Sequence, residues 1–272
     1  MQQSNLSALF GAMSNEHRLN LIANNLANVN TTGYKKDKVA FKDVFMHFAH
    51  DYILDSKPYI RAKPLWPEAD VIAKPRLSDQ KTDFSQGSLK VTGNPLDLAI
   101  QGEGFFKVQN PQTGDTFYTR NGNYMLDNGG QIIDGNGNYL LAGGGPVTVP
   151  QNSTLVIDQA GNIRAGEQEV GAIDLVTFNN PEDLKKVGAN LYTMDNPAEI
   201  PLNTGAPEVP EGEDSPRVVG AIQQGFLESS NVEVVTEMVA MIEVQRSFEA
   251  YQKIMTGTQQ MDQKLIATAA KA

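Results

Sequence analysis

Residues 20–36 read NLIANNLANVNTTGYKK and set Asn20, Asn24, Asn25, Asn28 and Asn30 in a stretch whose apolar residues keep helical spacing. Asparagine is a poor helix former, because its amide competes for nearby backbone groups. Leu19, Ile22, Leu26 and Val29 nevertheless recur at 3-4-3 spacing, as in a helix with one apolar seam. The pattern predicts a helix over residues 4–30, with Leu6, Leu9 and Met13 one residue out of phase upstream and Gly33 as the stop. At ~100° per residue, Asn20, Asn24 and Asn28 form a stripe opposite that seam. On a lone molecule such a stripe is a solvated face. In a polymer it meets a neighbour, and amides that both donate and accept fix register there without burying charge.

Beyond the helix, Lys35, Lys36, Lys38 and Lys42 are followed by Pro58, Pro64, Pro67 and Pro75, which forbid a long helix and predict an extended connector over residues 35–85. His47 and His50 stand three apart, a metal-ligand spacing, but no cysteine, third nearby histidine or HExxH pattern supports a site. Residues 86–195 change to alternation, with LDLAI and FFKV flanking Gly102 and Gly104. Three segments, DNGGQI (127–132), DGNGNY (134–139) and DQAGNI (158–163), share the form D-x-x-G-x-[IY]. An aspartate that bonds its own downstream backbone, followed by a glycine free to take positive φ, predicts a tight hairpin turn each time. The start of DGNGN also matches a calcium loop, but that motif's glycine and closing glutamate positions fall on Tyr139 and Gly145. GEGFF lacks the third glycine of a nucleotide cradle.

Residues 196–224 form a proline-rich, acidic loop, and residues 225–272 return to helix. Ser229, Ser230 and Asn231 are N-cap candidates, and Met241, Val244, Phe248, Tyr251 and Met255 run at 3-4-3-4 spacing. The expected fold is α+β. Residues 1–34 and 225–272 are long helices that pair as a coiled-coil-like core, joined through the 35–85 connector, a hairpin-rich β domain at 86–195 and the 196–224 loop.

Composition narrows the function. A net charge of −10 argues against a phosphate-binding surface, so no nucleic acid is expected. No run approaches the ~20 apolar residues of a membrane span, and the opening MQQSNLSALFGAMSNEHR lacks the basic region of a secretory signal. With no cysteine there is no disulfide and no thiolate nucleophile. No GxSxG, SxxK or comparable grouping marks a nucleophile, and no carboxylate stands in an apolar run that would raise its pKa. No catalytic, cofactor-binding or metal residue is assigned, and the protein is expected not to be an enzyme. The site expected instead is an assembly interface made of Asn20, Asn24, Asn25 and Asn28, the seam Leu19, Ile22, Leu26 and Val29, and Met241, Val244, Phe248, Tyr251 and Met255. A hairpin-rich acidic domain that grips or cleaves wall polysaccharide is the alternative, though an enzyme does not need the terminal seams; a soluble assembly chaperone is a third.

Three long segments carry a family resemblance. ANNLANVNTTGYKKDKVAFKDVF (23–45) resembles the N-terminal segment of the bacterial flagellar rod and hook proteins. TGNPLDLAIQGEGFFKV (92–108) and YTRNGNYMLDNGGQII (118–133) resemble their central β domain, and GFLESSNVEVVTEMVAMIEVQRSFEAYQKIMTGTQQM (225–261) their C-terminal helix. Hook proteins carry larger insertions, so the chain looks most like the FlgF/FlgG rod type. GAIDLVTFNNPEDLKKVGANLYT (171–193) and GGGPVTVP (143–150) lean to the proximal (FlgF) form, and the Gln245-Arg246 pair to the distal (FlgG) form. The resemblance implies a structural subunit of a helical axle that crosses the periplasm and transmits torque for motility. It implies assembly with itself and other rod subunits, terminal helices forming an inner tube, and passage through the flagellar export apparatus without a cleaved signal peptide.

Overall fold

A computed structural model describes residues 2–47, 71–150, 153–178, 180–194, 199–201 and 220–269. His50, Trp66 and most of the acidic loop lie outside these. The chain divides into two compact units, a helical unit of Met1–Leu26, Asp37–Lys81 and Val234–Ala272 and a β unit of Ala27–Lys36 and Thr82–Glu233.

In the helical unit, α1 spans Gln2–Ala27, α2 spans Val234–Ala269, and strands Asp37–His47 and Val71–Thr82 pair as a two-stranded sheet. The N-terminal helix stops three residues before the expected end because Asn28 and Thr31 take the chain into a turn. The Thr31 amide donates to the Asn28 carbonyl (3.1 Å) and its hydroxyl to Asn28 Oδ1 (3.2 Å). Asn25, by contrast, is buried. Its Nδ2 donates to the Asp37 carbonyl and its Oδ1 accepts from the Asp37 amide, both at 3.1 Å, so one amide holds the first strand residue as a neighbouring strand would.

The coiled-coil core expected from the two seams is not formed. Each end of the described chain supplies one α-helix, and most of the other elements are strands. Knobs-into-holes packing needs a large apolar side chain at every seam layer. α1 instead buries Ala8, Gly11 and Ala12 and leaves Leu9 and Met13 exposed. A Cβ on Gly11 would lie 2.7 Å from the ring of Tyr251, so the helices meet there through a small residue against an aromatic ring. The slip in phase leaves Leu9 and Met13 outside this contact.

The β unit centres on a ten-stranded sheet whose main path runs Lys185–Gly188, Leu191–Thr193, Thr116–Thr119, Phe105–Gln109, Tyr139–Ala142, Ile132–Asp134, Tyr124–Leu126. A three-stranded sheet, Leu155–Ile157, Asn162–Ala165 and Gln168–Ala172, lies beside it in the chain order. Two-residue periodicity explains strand Phe105–Gln109. Phe106 and Val108 enter the main core with Leu98, Ile100, Leu140, Ile163, Ile173, Leu175 and Ile222. Phe105 faces a second, aromatic cluster with Tyr118, Phe178, Leu184 and Tyr192. Each such side chain, fully buried, is worth ~1.5–3 kcal/mol.

All three D-x-x-G segments close hairpins. The amides of Gly130, Gly137 and Gly161 donate to the carbonyls of Asp127, Asp134 and Asp158, and each glycine takes positive φ. The Asp134 carboxylate is filled by the Asn136 and Asn138 amides and by Asn138 Nδ2, which accounts for the sequence without calcium. Two small pairings bring the end of the β unit back to its start, Ala221–Gln224 on Leu98–Gln101 and Phe226–Glu228 on Leu89–Val91.

Candidate functional site

The second of these pairings sets Glu228 at the centre of a buried ion triad. Strand Phe226–Glu228 buries Leu227 and Glu228 on both of its faces, and the glutamate is 1% exposed. Lys35 arrives from the TTGYKK turn, and its Nζ lies 2.6 Å from Glu228 Oε1, with neither side chain exposed. Arg120, just beyond strand Thr116–Thr119, brings Nη1 to 3.5 Å from Glu228 Oε2. The Gly87 amide also donates to Oε1 (2.8 Å), Lys35 Nζ donates to the Ser85 carbonyl (2.8 Å), and Arg120 Nη2 donates to the Gly102 carbonyl (2.9 Å). The guanidinium lies 5.3 Å from the centre of the Phe105 ring, which joins the triad to the aromatic cluster.

Two cations share one anion here, so the site holds a net positive charge out of water. Burial lowers the pKa of Lys35; Glu228 opposes the shift and Arg120 adds to it. Burial lowers Arg120 as well, again against Glu228. Arg120 Nε is buried with no hydrogen-bond partner among the described residues.

Around this centre the TTGYKK turn is stitched to the segment that precedes α2. The Gly33 amide donates to the Glu228 carbonyl (2.8 Å), the Lys36 amide to Asn231 Oδ1 (2.8 Å), and Asn231 Nδ2 to the Asp83 carbonyl (2.8 Å). Asn231, expected as a helix cap, is therefore spent on the clasp. A hairpin adds further ties, with Lys186 Nζ on the Lys35 carbonyl (2.7 Å) and Asn190 Nδ2 on the Thr32 carbonyl (2.9 Å). Gly33 has φ +67, and a Cβ there would lie 2.5 Å from the Asn121 amide nitrogen, so two constraints demand glycine.

The expected interface residues divide by environment. Asn20 and Asn24 are exposed, Asn28 is half-buried, and Asn25 is internal. Ile22 and Val244 are buried, while Leu19, Leu26, Val29, Met241, Phe248, Tyr251 and Met255 are half-buried. None of them belongs to the triad. Sequence reasoning missed Lys35, Arg120 and Glu228 as partners. The available signal was a lone charge in YTR and in FLE; Lys35, inside the charged run KKDK, carried none.

The carboxylate is saturated by cations and an amide, which suits it to holding segments in place. A β unit clasped by buried charge, continuing into a helix at each end of the chain, defines an architectural subunit. Comparison with known proteins gives the family. Residues 6–35 match the "Flagella basal body rod protein" model, residues 99–165 the "Flagellar hook protein FlgE/F/G D1 domain", and residues 223–268 the "Flagellar basal body rod FlgEFG protein C-terminal". The chain is 33% identical to the flagellar basal-body rod protein FlgG of Bacillus subtilis, over 98% of both chains. It is 32% identical to FlgG of Caulobacter vibrioides over 94% of this chain and 95% of that one, and 32% identical to FlgF of Mesorhizobium japonicum over 98% of both. The chain belongs to the flagellar basal-body rod protein family. Its role is structural rather than enzymatic, its place is the flagellar basal body, and it assembles with other flagellar components. No helix among the described residues is long and apolar enough to cross a membrane.

Proposed function

We propose that the protein is a proximal, FlgF-like subunit of the rod, which polymerises with copies of itself and with other rod subunits into the axle that carries torque for motility. The observation that carries the rod reading is the end-to-end likeness to rod proteins, which includes the segments of both helices and of the β unit. Segment 171–193 and the GGGPVTVP stretch favour the proximal form. The distal form is the second reading, favoured by the FlgG names of most of these relatives and by the Gln245-Arg246 pair. The chain reaches the rod through the flagellar export apparatus.

Within this reading Asn20 and Asn24, exposed on α1, hydrogen-bond to neighbouring subunits, with Asn28 at the margin of the stripe. Leu19, Ile22, Leu26, Val29, Met241, Val244, Phe248, Tyr251 and Met255 supply the apolar sides of the two helices. Deleting residues 1–30 or 240–272 abolishes rod assembly and swimming; a truncated chain that still builds a working rod refutes the reading. A tagged chain that enters basal bodies purified from cells lacking the distal rod protein is proximal. One that is absent from them, yet present in the parent strain, is distal.

A further inference from the structure

The helical unit contains a groove of about 340 Å³ that its own side chains leave open. It is lined by the apolar Leu21 and Ile22 of α1, Val39 of the first strand and Ala240 of α2, by the amide of Asn25, and by the charged Arg18, Lys38, Asp37 and Glu237. The volume has room for more than one aliphatic side chain.

The same unit carries an apolar face that is exposed among the described residues. Val235, Met238, Val239 and Ile242 are all about half exposed or more, at 69%, 50%, 52% and 48%. Their spacing of i, i+3, i+4 and i+7 puts them on one side of the first two turns of α2. At ~100° per residue that side points ~180° away from the side holding Glu237, Ala240 and Val244. The stripe therefore cannot fold into the groove of its own chain. Downstream it gives way to Glu243, Arg246 and Glu249, which are exposed and carry both signs of charge.

We infer that the Val235–Ile242 stripe of one copy docks in the Arg18–Val39–Ala240 groove of a second copy. Three observations on the two surfaces support that occupant. The stripe matches the groove's apolar lining in chemistry, and Glu243 and Glu249 complement Arg18 and Lys38 while Arg246 complements Asp37 and Glu237. The third is direction: donor stripe and acceptor groove lie on opposite sides of one helix, so each copy that accepts a neighbour still offers its own stripe. Such a heterologous contact leaves a free surface on each added copy, and it builds an open helical filament, as a rod requires, when its rotation does not close into a ring. The inference rests on the reading of the protein as a self-assembling rod subunit and adds which surfaces meet.

The absence of cysteine makes the test clean. Full-length Leu21→Cys and Met238→Cys chains are co-expressed in flagellated cells lacking the native gene, and intact cells are oxidised gently. A disulfide requires Cα atoms within ~7 Å, so a mixed dimer found in purified basal bodies, and absent when either variant is expressed alone, supports the contact. Normal incorporation and swimming with no mixed dimer overturns it and leaves the rod reading standing; failure of the unsubstituted chain to enter basal bodies overturns both. A cross-link to a different rod protein in place of a second copy also overturns it. Charge reversal gives an independent readout. Arg18→Glu reduces swimming at least tenfold and Glu243→Arg restores it, whereas no effect of Arg18→Glu, or no restoration, counts against the docking.

Discussion

Replacing Glu228 with glutamine tests the clasp most directly, because it removes the charge and preserves the shape. The native carboxylate faces Lys35 Nζ at 2.6 Å and Arg120 Nη1 at 3.5 Å, with side-chain exposures of 0% for Glu228, 0% for Lys35 and 3% for Arg120. Solvent screening is therefore absent, and the substitution leaves two cations buried without an anion between them. Breaking a buried pair on one side costs ~3–5 kcal/mol. For a unit of this size that lowers the melting temperature by ~6–20 °C. The Gly87 amide, which donates to Glu228 Oε1, exchanges faster in the variant, whereas the Ile163 amide in the sheet core follows only the global loss. Lys35→Met in the Glu228→Gln background removes one stranded cation, so the double variant is more stable than the sum of its parts by ~1–3 kcal/mol. Chemical denaturation read by far-ultraviolet circular dichroism, with amide exchange by nuclear magnetic resonance, checks all three expectations. A Glu228→Gln protein within ~0.5 kcal/mol of the parent, or strict additivity in the cycle, refutes the account of the site as an ionic lock.

Other perturbations follow from the same geometry. Gly33→Ala forces an L-residue into positive φ and drives its Cβ into the 120–121 backbone; a loss of more than ~2 kcal/mol is expected in denaturant, and tolerance refutes the turn assignment. The Tyr124 hydroxyl is buried with no partner among the described residues, and Tyr124→Phe raises stability by ~1 kcal/mol, against a loss if the hydroxyl is in fact bonded. Burial lowers the folded pKa of Lys35 below its unfolded value of 10.5, so the folded state binds fewer protons between those two values. Unfolding free energy therefore gains a positive increment as pH rises through that window, and Lys35→Met removes the increment. The Asn162 side chain, with backbone amides, holds Asp158 below the ordinary carboxylate range of 3.8. Its contribution is present above that value and fades as pH falls through the lower folded one, and Asp158→Ala abolishes this acid-side loss, which is under ~1 kcal/mol at so exposed a site.

What the sequence disclosed was whatever its local patterns determine. The D-x-x-G segments specify their turns because aspartate, glycine and the closing hydrogen bond all lie within four residues. Alternation in FFKV separates the two cores, and the 3-4 spacing in α2 picks out its least exposed side. The failures are non-local. Seam spacing reports which side of a helix is apolar, and it does not report whether the partner side is made of knobs or of Ala8, Gly11 and Ala12. Asn25 and Asn24 are adjacent and chemically identical, yet one is tied to the Asp37 backbone and the other is exposed. Helix phase turns Asn25 toward the seam side, and the position of the first strand decides that its amide is bonded there. The triad is the extreme case, with Lys35 and Glu228 separated by 193 positions and Arg120 and Glu228 by 108.

The clasp lies where an apolar contact would serve poorly. The chain runs so close that a Cβ on Gly87 would lie 2.0 Å from the Ser229 carbonyl oxygen. Space of that kind suits one carboxylate collecting donors from several directions better than a bulky aliphatic side chain. Apolar packing is non-directional and tolerates shifts in register, whereas Glu228 accepts from Lys35, Arg120 and the Gly87 amide only when the turn at 32–36, the segment at 83–88 and the strand ending at Glu228 are all in register. These segments adjoin Ala27, where α1 ends, and Val234, where α2 begins. A small error in the clasp therefore displaces the β unit's own backbone at residues 32–36 and 229–231. The desolvation cost of three buried charges is balanced against fixed geometry at those two points, and geometry is what a structural subunit must reproduce from one copy to the next.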